Sequence, residues 1–327
     1  MSILIIYLER LKTNKCSICK RKDAVYHQKH SGLYLCKSDF IKNIERRVRR
    51  TINKHNLLKE TDRIAIGVSG GKDSLTLLNI LYKIEKKFKK SKLIAVMIDE
   101  GIKGYREEAI ELAIKMTEKL GVPLEIFSFK ELYGYTLDEM VKIAKEETDQ
   151  GPAPCSYCGT LRRRSLNYAA KKVNANKLAT AHNLDDESQT VLMNVLRSDI
   201  NRIGRAGPYT RNLKDVFVPK IKPMREILEK EIVLYAYYND IPFHSVECPY
   251  APISFRSDIR NFLNKMEYQR AGIKYALLRS GDKIRKLHTD SQPIYECIKC
   301  NEPSTSKICK VCKMFDEIGI TIKRLKY

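Results

Sequence analysis

The sequence predicts an α/β protein built on a parallel sheet with helices on both faces. Strand-like apolar runs alternate with amphipathic, helix-like segments from about residue 61 to residue 267. One apolar run, residues 64–68, passes through a glycine turn directly into a helical segment. Eight of the ten cysteines stand in C-x-x-C pairs, and the pairs near the termini predict small metal-binding modules on either side of the sheet.

The predicted elements follow this alternation in chain order. They are a basic helix over 40–59, the strand 64–68 with its helix 75–88, strand 92–99, helix 106–120, strand 123–129, helices 137–147 and 159–172, strand 177–181, and helices 185–197, 224–238 and 256–267. Ligands of such sheets bind beyond the carboxyl ends of the strands. The polar residues at strand ends are therefore site candidates, namely 69–74, 99–101, the loop after Phe129, and 182–186.

The turn after the first strand predicts a phosphate site. Its sequence is Ser69-Gly70-Gly71-Lys72-Asp73-Ser74. The two glycines leave backbone N–H groups unblocked, and the following helix presents its positive end to an anion. A Walker loop would need Ser or Thr after Lys72, where this chain has Asp73. The loop instead resembles that of the ATP-pyrophosphatase superfamily, whose members split ATP into AMP and pyrophosphate while activating a carbonyl oxygen.

The charge of the chain favours a polyanionic partner. Lys and Arg outnumber Asp and Glu by 61 to 39, a formal net charge of +22. Nucleic acid is the first candidate, since arginines also cluster at 46–50 and 162–164; a Lys-rich source proteome is the alternative. No apolar run reaches the ~20 residues of a membrane span, and the first eleven residues are too short an apolar stretch for a secretory signal, so a cytoplasmic location is expected.

The terminal cysteines predict two structural zinc sites. In the first, Cys16, Cys19 and Cys36 supply three ligands, and Asp39 is favoured over His27 or His30 as the fourth. The second is a C-x-x-C, eight-residue, C-x-x-C array typical of a zinc ribbon, formed by Cys297, Cys300, Cys309 and Cys312.

The remaining three cysteines, Cys155, Cys158 and Cys248, cannot complete a tetrahedral thiolate site by themselves. Three thiolates could hold three irons of a cubane cluster and leave the fourth open to hydrosulfide. In the rival hypothesis, Cys155 or Cys158 carries a persulfide that Cys248 resolves.

Taken together, the motifs resemble those of the tRNA 2-thiouridine sulfurtransferases, in the family's order over nearly the whole chain. They are the 69–74 loop, Asp99-Glu100-Gly101-Ile102, Pro154-Cys155-x-x-Cys158-Gly159-x-x-Arg162-Arg163, His182-Asn183-Leu184-Asp185-Asp186 and Glu247-Cys248-Pro249-Tyr250. The resemblance implies an ATP-pyrophosphatase domain with an N- and a C-terminal zinc finger, and a [4Fe-4S] cluster on Cys155, Cys158 and Cys248. Asp39 stands where the family usually has Cys or His.

By that resemblance, the enzyme adenylates the C2 oxygen of a tRNA uridine and replaces it with sulfur. Catalytic roles are expected for Asp186, Arg162 and the three central cysteines, and ATP contacts for Val68, Ser69, Gly70, Gly71, Lys72, Asp73, Ser74, Ile98, Asp99, Arg162, His182 and Asp186. Asp73 and Asp186 would position Mg²⁺, Ile98 and Asp99 would border the adenosine, and Arg162 would neutralise phosphate charge.

Four segments are predicted: an N-terminal zinc finger (1–40), a basic linker helix (41–60), the ATP-pyrophosphatase domain (61–285) and a zinc ribbon (286–327). The sulfur donor, either sulfide or a ubiquitin-like thiocarboxylate protein, stays open, as do the modified uridine and a homodimer. Two other functions are weighed: a nitrogen-transferring relative that forms amides or lysidine, and a non-catalytic zinc-dependent RNA-binding protein.

Overall fold

The computed structural model describes residues 14–147, 154–210, 217–250, 255–287 and 293–320. Within them lies a five-stranded sheet of order β5-β4-β3-β6-β7, parallel throughout, and two antiparallel hairpins. The strands are β1 (Tyr26–Gln28), β2 (Leu33–Leu35), β3 (Arg63–Val68), β4 (Lys92–Asp99), β5 (Leu124–Ser128), β6 (Lys177–Ala179), β7 (Lys220–Ile221), β8 (Tyr295–Glu296) and β9 (Pro303–Ser304). The predicted parallel α/β fold is confirmed.

Helices cover both faces of this sheet. They are α1 (Lys37–Lys54), α2 (Lys72–Glu85), α3 (Arg106–Leu120), α4 (Phe129–Tyr133), α5 (Leu137–Glu147), α6 (Pro154–Lys172), α7 (Leu184–Leu196), α8 (Ile200–Arg205), α9 (Glu229–Tyr238), α10 (Phe255–Gln269), α11 (Ile273–Leu287) and α12 (Lys310–Glu317). None of the described helices is long and apolar enough to cross a membrane.

The central strand β3 is apolar because both of its faces are buried. Ile64 and Ile66 pack into one hydrophobic core, and Ala65 packs into the other. A strand buried on both sides reads as a continuous apolar run rather than as an alternating one. The carboxyl end of β3 therefore lies in the middle of the sheet edge, with the ends of β4 and β6 beside it.

Several predicted boundaries were wrong. Helix α6 begins at Pro154 rather than at residue 159; proline fits the first turn of a helix, whose N–H groups have no helical partner. Helix α9 begins at Glu229 rather than at residue 224, because Leu228 has extended backbone angles and the Glu231 carboxylate accepts from its N–H at 3.0 Å. Helix α1 is displaced to Lys37–Lys54, and β6 ends at Ala179.

Helix α1 joins the N-terminal hairpin to the sheet domain. Asp39 lies in its first turn, and the buried Arg47 lies two turns further on. Arg47 donates to Glu231 at 2.7 Å and to the carbonyl oxygen of Glu226 at 2.7 Å. The predicted N-terminal module and linker helix thus share one helix, which is fixed to α9 by a buried ion pair.

Candidate active site

The turn after β3 is closed by its own hydrogen bonds. Gly70 has φ +77°, and a Cβ there would lie 2.3 Å from the carbonyl oxygen of Ala109. The Ser74 hydroxyl accepts from the N–H of Ser69 at 3.0 Å and donates to the carbonyl oxygen of Gly71 at 3.0 Å. Gly71 is the residue before α2. The turn therefore holds the N-terminus of α2 toward the sheet edge, as a phosphate site requires.

Charged side chains surround this turn. Lys72 Nζ lies 2.9 Å from Asp73 Oδ2 and 2.8 Å from Glu229 Oε1. Asn183 donates its amide to Asp73 at 3.0 Å, while its side-chain oxygen accepts from the N–H of Asp186 at 3.0 Å. One residue thereby ties the phosphate loop to the start of α7.

Asp186, at the start of α7, is a carboxylate whose pKa departs from its usual value. Burial, and then the negative charge of Asp73, raise the pKa of Asp186 to about 6. Two carboxylates near one another favour binding of a cation, whose charge would offset both.

The three central cysteines open into the same cavity as the phosphate loop. This cavity has a volume of about 240 Å³, and Ser69, Gly71, Cys155, Cys158 and Cys248 are among its lining residues. Cys155 and Cys158 project from the first turns of α6, and Cys248 lies in the segment after α9. Residues that are distant in sequence thus line one cavity, although among the described residues these three are not brought within 4.8 Å of one another as the terminal sets are.

The cysteines differ in their surroundings. Cys155 is exposed, and its thiol donates to the carbonyl oxygen of Tyr250 at 3.0 Å. Burial raises the pKa of Cys158 to about 11, although the nearby Arg162 guanidinium opposes the shift. A thiolate at Cys158 therefore needs a further positive charge, such as a metal centre, at neutral pH.

A chain of ion pairs connects Arg162 to the phosphate loop. Arg162, which lines the cavity, lies 3.5 Å from the buried Glu100 carboxylate, whose other oxygen is 2.9 Å from Arg106 Nε. Arg106 also donates to the carbonyl oxygens of Ile98 at 2.8 Å and Ser69 at 3.2 Å. This chain fixes the carboxyl ends of β3 and β4 to the middle of α6.

The other predicted ATP contacts lie at the same edge. Val68 ends β3, and Asp99 ends β4, where its carboxylate accepts from the N–H of Gly101 at 2.8 Å. His182 follows β6 and shares a 2.9 Å hydrogen bond with the Thr180 hydroxyl. Its ring is solvent accessible but crowded by protein atoms, and this desolvation lowers the pKa of His182 to about 4.

Sequence reasoning assigned no role to several residues of the site. Glu100 and Asn183 stand in motifs that the sequence did single out, so their position was a usable signal. Arg106, His244 and Glu229 carried no signal: His244, for example, reaches the loop by donating its N–H to the carbonyl oxygen of Gly70 at 3.0 Å, across 174 residues.

The terminal cysteine sets are each assembled. Cys16, Cys19, Cys36 and Asp39 bring ligand atoms within 4.8 Å of one another, as do Cys297, Cys300, Cys309 and Cys312. His27 instead stacks on Tyr34, and His30 packs on Tyr275.

The spacing within the C-terminal set suits zinc. Its sulfurs approach to 3.7 Å in the pairs Cys297–Cys312 and Cys300–Cys309. Zn–S bonds of about 2.3 Å give a tetrahedron with edges of about 3.8 Å. Both sets therefore have the donor chemistry, and the C-terminal one also the spacing, of a structural metal site.

Comparison with known proteins places this arrangement in a class. Residues 41–267 match the PP-loop domain family, and residues 15–41 match the N-terminal LIM domain of the 2-thiouridine synthetase TtuA. The sheet and its phosphate loop are thus those of a PP-loop domain protein.

Individual relatives narrow the class. The chain is 35% identical to cytoplasmic tRNA 2-thiolation protein 1 of Dictyostelium discoideum, over 96% of this chain and 86% of the relative. It is 32% identical to tRNA 2-thiolation protein NcsA of Haloferax volcanii, over 93% and 99%. The solved structure of the U34-tRNA thiolase NcsA from Methanococcus maripaludis with its [4Fe-4S] cluster matches with a TM-score of 0.83 and 37% identity, over 96% of this chain and 99% of that one. The chain belongs to the family of PP-loop tRNA 2-thiolation proteins.

Proposed function

We propose that this protein is an ATP-dependent tRNA sulfurtransferase that forms 2-thiouridine. The observation that carries the proposal is the shared cavity, onto which both the phosphate loop and the three central cysteines open. ATP chemistry and sulfur chemistry can then act on one atom of one substrate. The family's U34-tRNA thiolase supports the wobble uridine as the target.

The first half-reaction adenylates the uridine. The C2 oxygen attacks the α-phosphorus of ATP, a P–O bond forms, and pyrophosphate leaves. Gly70, Gly71, Lys72 and Ser74 bind the leaving phosphates through backbone N–H groups and side-chain donors. Asp73 and Asp186 would hold Mg²⁺, which supplies charge neutralisation for the phosphates.

The second half-reaction exchanges oxygen for sulfur. Hydrosulfide attacks C2, a C–S bond forms, the C–O bond breaks, and the oxygen leaves with AMP. No electrons are gained or lost when hydrosulfide is the donor. Arg162 lines the cavity that the cysteines share with the phosphate loop. Its positive charge stabilises the phosphate of the leaving AMP.

Cys155, Cys158 and Cys248 have the chemistry to hold the cluster. They are the three thiols among the cavity's described lining residues, with no fourth thiol beside them, and Cys158 needs a positive centre to ionise. A [4Fe-4S] cluster bound there would supply an iron open to an external sulfur ligand. The terminal sets would hold two structural Zn²⁺ ions, one each.

The remaining parts of the proposal are the substrate, the segments of the chain, the location, the sulfur donor and the assembly. The net charge of +22 favours tRNA. We retain the four segments 1–40, 41–60, 61–285 and 286–327 as functional units, the cytoplasm as the location, sulfide or a ubiquitin-like thiocarboxylate protein as the donor, and a homodimer as one possible assembly.

Anaerobic reconstitution tests this function. Protein purified without oxygen is analysed for iron and sulfide, then incubated with unmodified tRNA, ATP and sulfide. We expect one 2-thiouridine per tRNA together with AMP and pyrophosphate. Cys248→Ala should lose cluster and product, whereas Ser156→Ala, in the same motif but outside the cavity lining, should retain both.

The same assay separates the other candidate functions. A cluster-independent ATP cleavage that incorporates nitrogen would support an amide- or lysidine-forming enzyme. Tight tRNA binding without any conversion of ATP to AMP would support a non-catalytic RNA-binding protein. Full cluster content and activity in Cys248→Ala would refute the assignment of that residue.

A further inference from the structure

A second cleft, rich in arginine, lies beside the active site. Its volume is about 690 Å³, and five arginines line it: Arg163, Arg197, Arg202, Arg205 and Arg256. They come from α6, α8, α10 and the C-terminal end of α7. None of the described lining residues is acidic.

The cleft differs in charge from another large cavity of the protein. That cavity, of about 400 Å³, is lined by Glu60 and Glu85 as well as by three basic residues. In the arginine cleft, Arg256 donates to the neutral side chains of Gln189 at 3.1 Å and Thr190 at 3.3 Å. Arg202 pairs at 3.0 Å with Asp199, which does not line the cleft. The five arginines outnumber this carboxylate, so the cleft carries net positive charge where an anion can enter.

The pKa values of Arg163, in the cleft, and of the nearby Lys220 are both lowered. Burial lowers the pKa of Arg163, and the charges of Arg162 and Arg202 lower it further. Burial, with Arg163 nearby, also lowers the pKa of Lys220 to about 8. A bound polyanion would relieve this repulsion among like charges.

Helices α6 and α7 each carry residues of the cleft and residues of the proposed active site. Arg163 directly follows Arg162, which lines the cysteine cavity. On α7, Thr190 lines the cleft and donates its hydroxyl to the carbonyl oxygen of Asp186 at 2.8 Å. An extended ligand in the cleft can thus place one of its units at the reaction centre.

An aromatic ring lies next to the arginines. Phe255 is 41% exposed, and the Arg197 guanidinium carbon lies 5.3 Å from its ring centroid. Leu196 and Ile200 are also exposed, at 58% and 52%. Exposed aromatic surface beside arginine is suited to unstacked bases of RNA loops.

We propose that the arginine cleft binds the sugar–phosphate backbone of the substrate RNA next to the target uridine, with Phe255 stacking on a neighbouring base. This inference rests on the proposed function, since it takes the substrate to be tRNA. Guanidinium groups bind phosphate in a bidentate manner without reading sequence, so the cleft sets the position of the RNA rather than the choice of base.

The test compares two double variants of equal charge change. Arg197→Gln/Arg202→Gln removes cleft charges, and Lys115→Gln/Lys119→Gln removes exposed charges from α3. The dissociation constant of an unmodified tRNA transcript is measured from low to high salt. For the cleft variant we expect roughly tenfold weaker binding and a salt slope smaller by about 2. ATP binding and Tm should stay near the wild-type values, and the control should match the wild type.

Further measurements distinguish a wrong assignment of the cleft from a wrong assignment of the function. Phe255→Ala should weaken tRNA binding with the salt slope unchanged. Unchanged tRNA affinity and slope in the cleft variant, while the wild type thiolates tRNA, would overturn the cleft but not the function. Loss of affinity for a ubiquitin-like donor alone would make it a protein-binding surface, which also overturns the proposal. A wild type that neither binds nor thiolates tRNA would remove the proposed function itself.

Discussion

Lys72 Nζ lies 2.8 Å from Glu229 Oε1, a contact that joins the phosphate loop to α9 across 157 residues. Burial disfavours the charge of Lys72, but the carboxylates of Asp73 and Glu229 outweigh it and raise the pKa of Lys72. The Lys72 ammonium group is therefore held by two anions in the ATP-free protein. If Lys72 binds the phosphates as proposed, ATP must compete with these carboxylates for it.

Removing the charge of Glu229 should strengthen ATP binding, because one of the two carboxylates that pair with Lys72 is then neutral. In Glu229→Gln the amide no longer neutralises Lys72, and we expect several-fold tighter ATP binding, corresponding to about 1 kcal/mol for a partly exposed pair. Isothermal titration calorimetry measures this change, with Lys115→Gln as a surface control. Weaker ATP binding in Glu229→Gln would mean that Glu229 positions Lys72 rather than competing for it.

Neutralising Asp186 should raise the stability of the protein, whereas neutralising Asp185 should lower it. Because burial raises the folded-state pKa of Asp186 to about 6, above its unfolded value, its ionised form lowers stability at pH 7. Stability attributable to this group rises as the pH falls from above 6 to about 4. Asp186→Asn should therefore raise stability at pH 7 by about 1–3 kcal/mol and abolish thiolation.

The neighbouring carboxylate supplies the matched control. Asp185 pairs with the buried Lys274, and Asp185→Asn should cost about 3 kcal/mol because that ammonium loses its partner. Chemical denaturation at several pH values measures both variants. In the wild type, the affinity for Mg²⁺ should fall as the pH drops through about 6, since protons compete with the cation for the Asp186 carboxylate. A flat profile in that range would contradict the metal role.

Gly70 should tolerate no side chain. A Cβ there meets the Ala109 carbonyl oxygen at 2.3 Å, at a φ of +77°. We expect Gly70→Ala to abolish ATP binding and lower Tm. Gly104 has a similar φ of +73° but open space around it, so Gly104→Ala should cost only about 1 kcal/mol of backbone strain and leave ATP binding intact. Equal effects of both variants on ATP binding would show that backbone strain, not the contact with Ala109, is responsible.

Asp39 should be required for the N-terminal metal. Zinc content measured by mass spectrometry should fall from two ions to one per chain in Asp39→Ala, one of the two sets being lost. Asp39→Cys should keep both ions. His27→Ala is the control, since His27 stacks on Tyr34 instead of reaching the cysteines. Loss of zinc in the histidine variant but not in Asp39→Ala would reverse the ligand assignment.

The sequence predicts four of the five strands of the sheet, the phosphate loop and the cysteine sets because each is encoded locally; it misses β7, a strand of only two residues. Periodicity places β4 and α3 at their observed bounds, and C-x-x-C spacing finds the terminal clusters. It misses the start of α6, since Gly159 suggests a boundary that the helix passes through. It also misses contacts such as Glu229 to Lys72, because no local pattern records which residues the fold brings together.

One buried carboxylate, Glu100, sets the geometry between the two halves of the proposed reaction. It lies between Arg162, beside the cysteines, and Arg106, which donates to the Ser69 carbonyl of the phosphate loop. Under the proposed mechanism, the distance between the sulfur and the activated carbon would then be fixed by the folded protein before either substrate binds. The effective molarity of sulfur at that carbon would be a property of the fold.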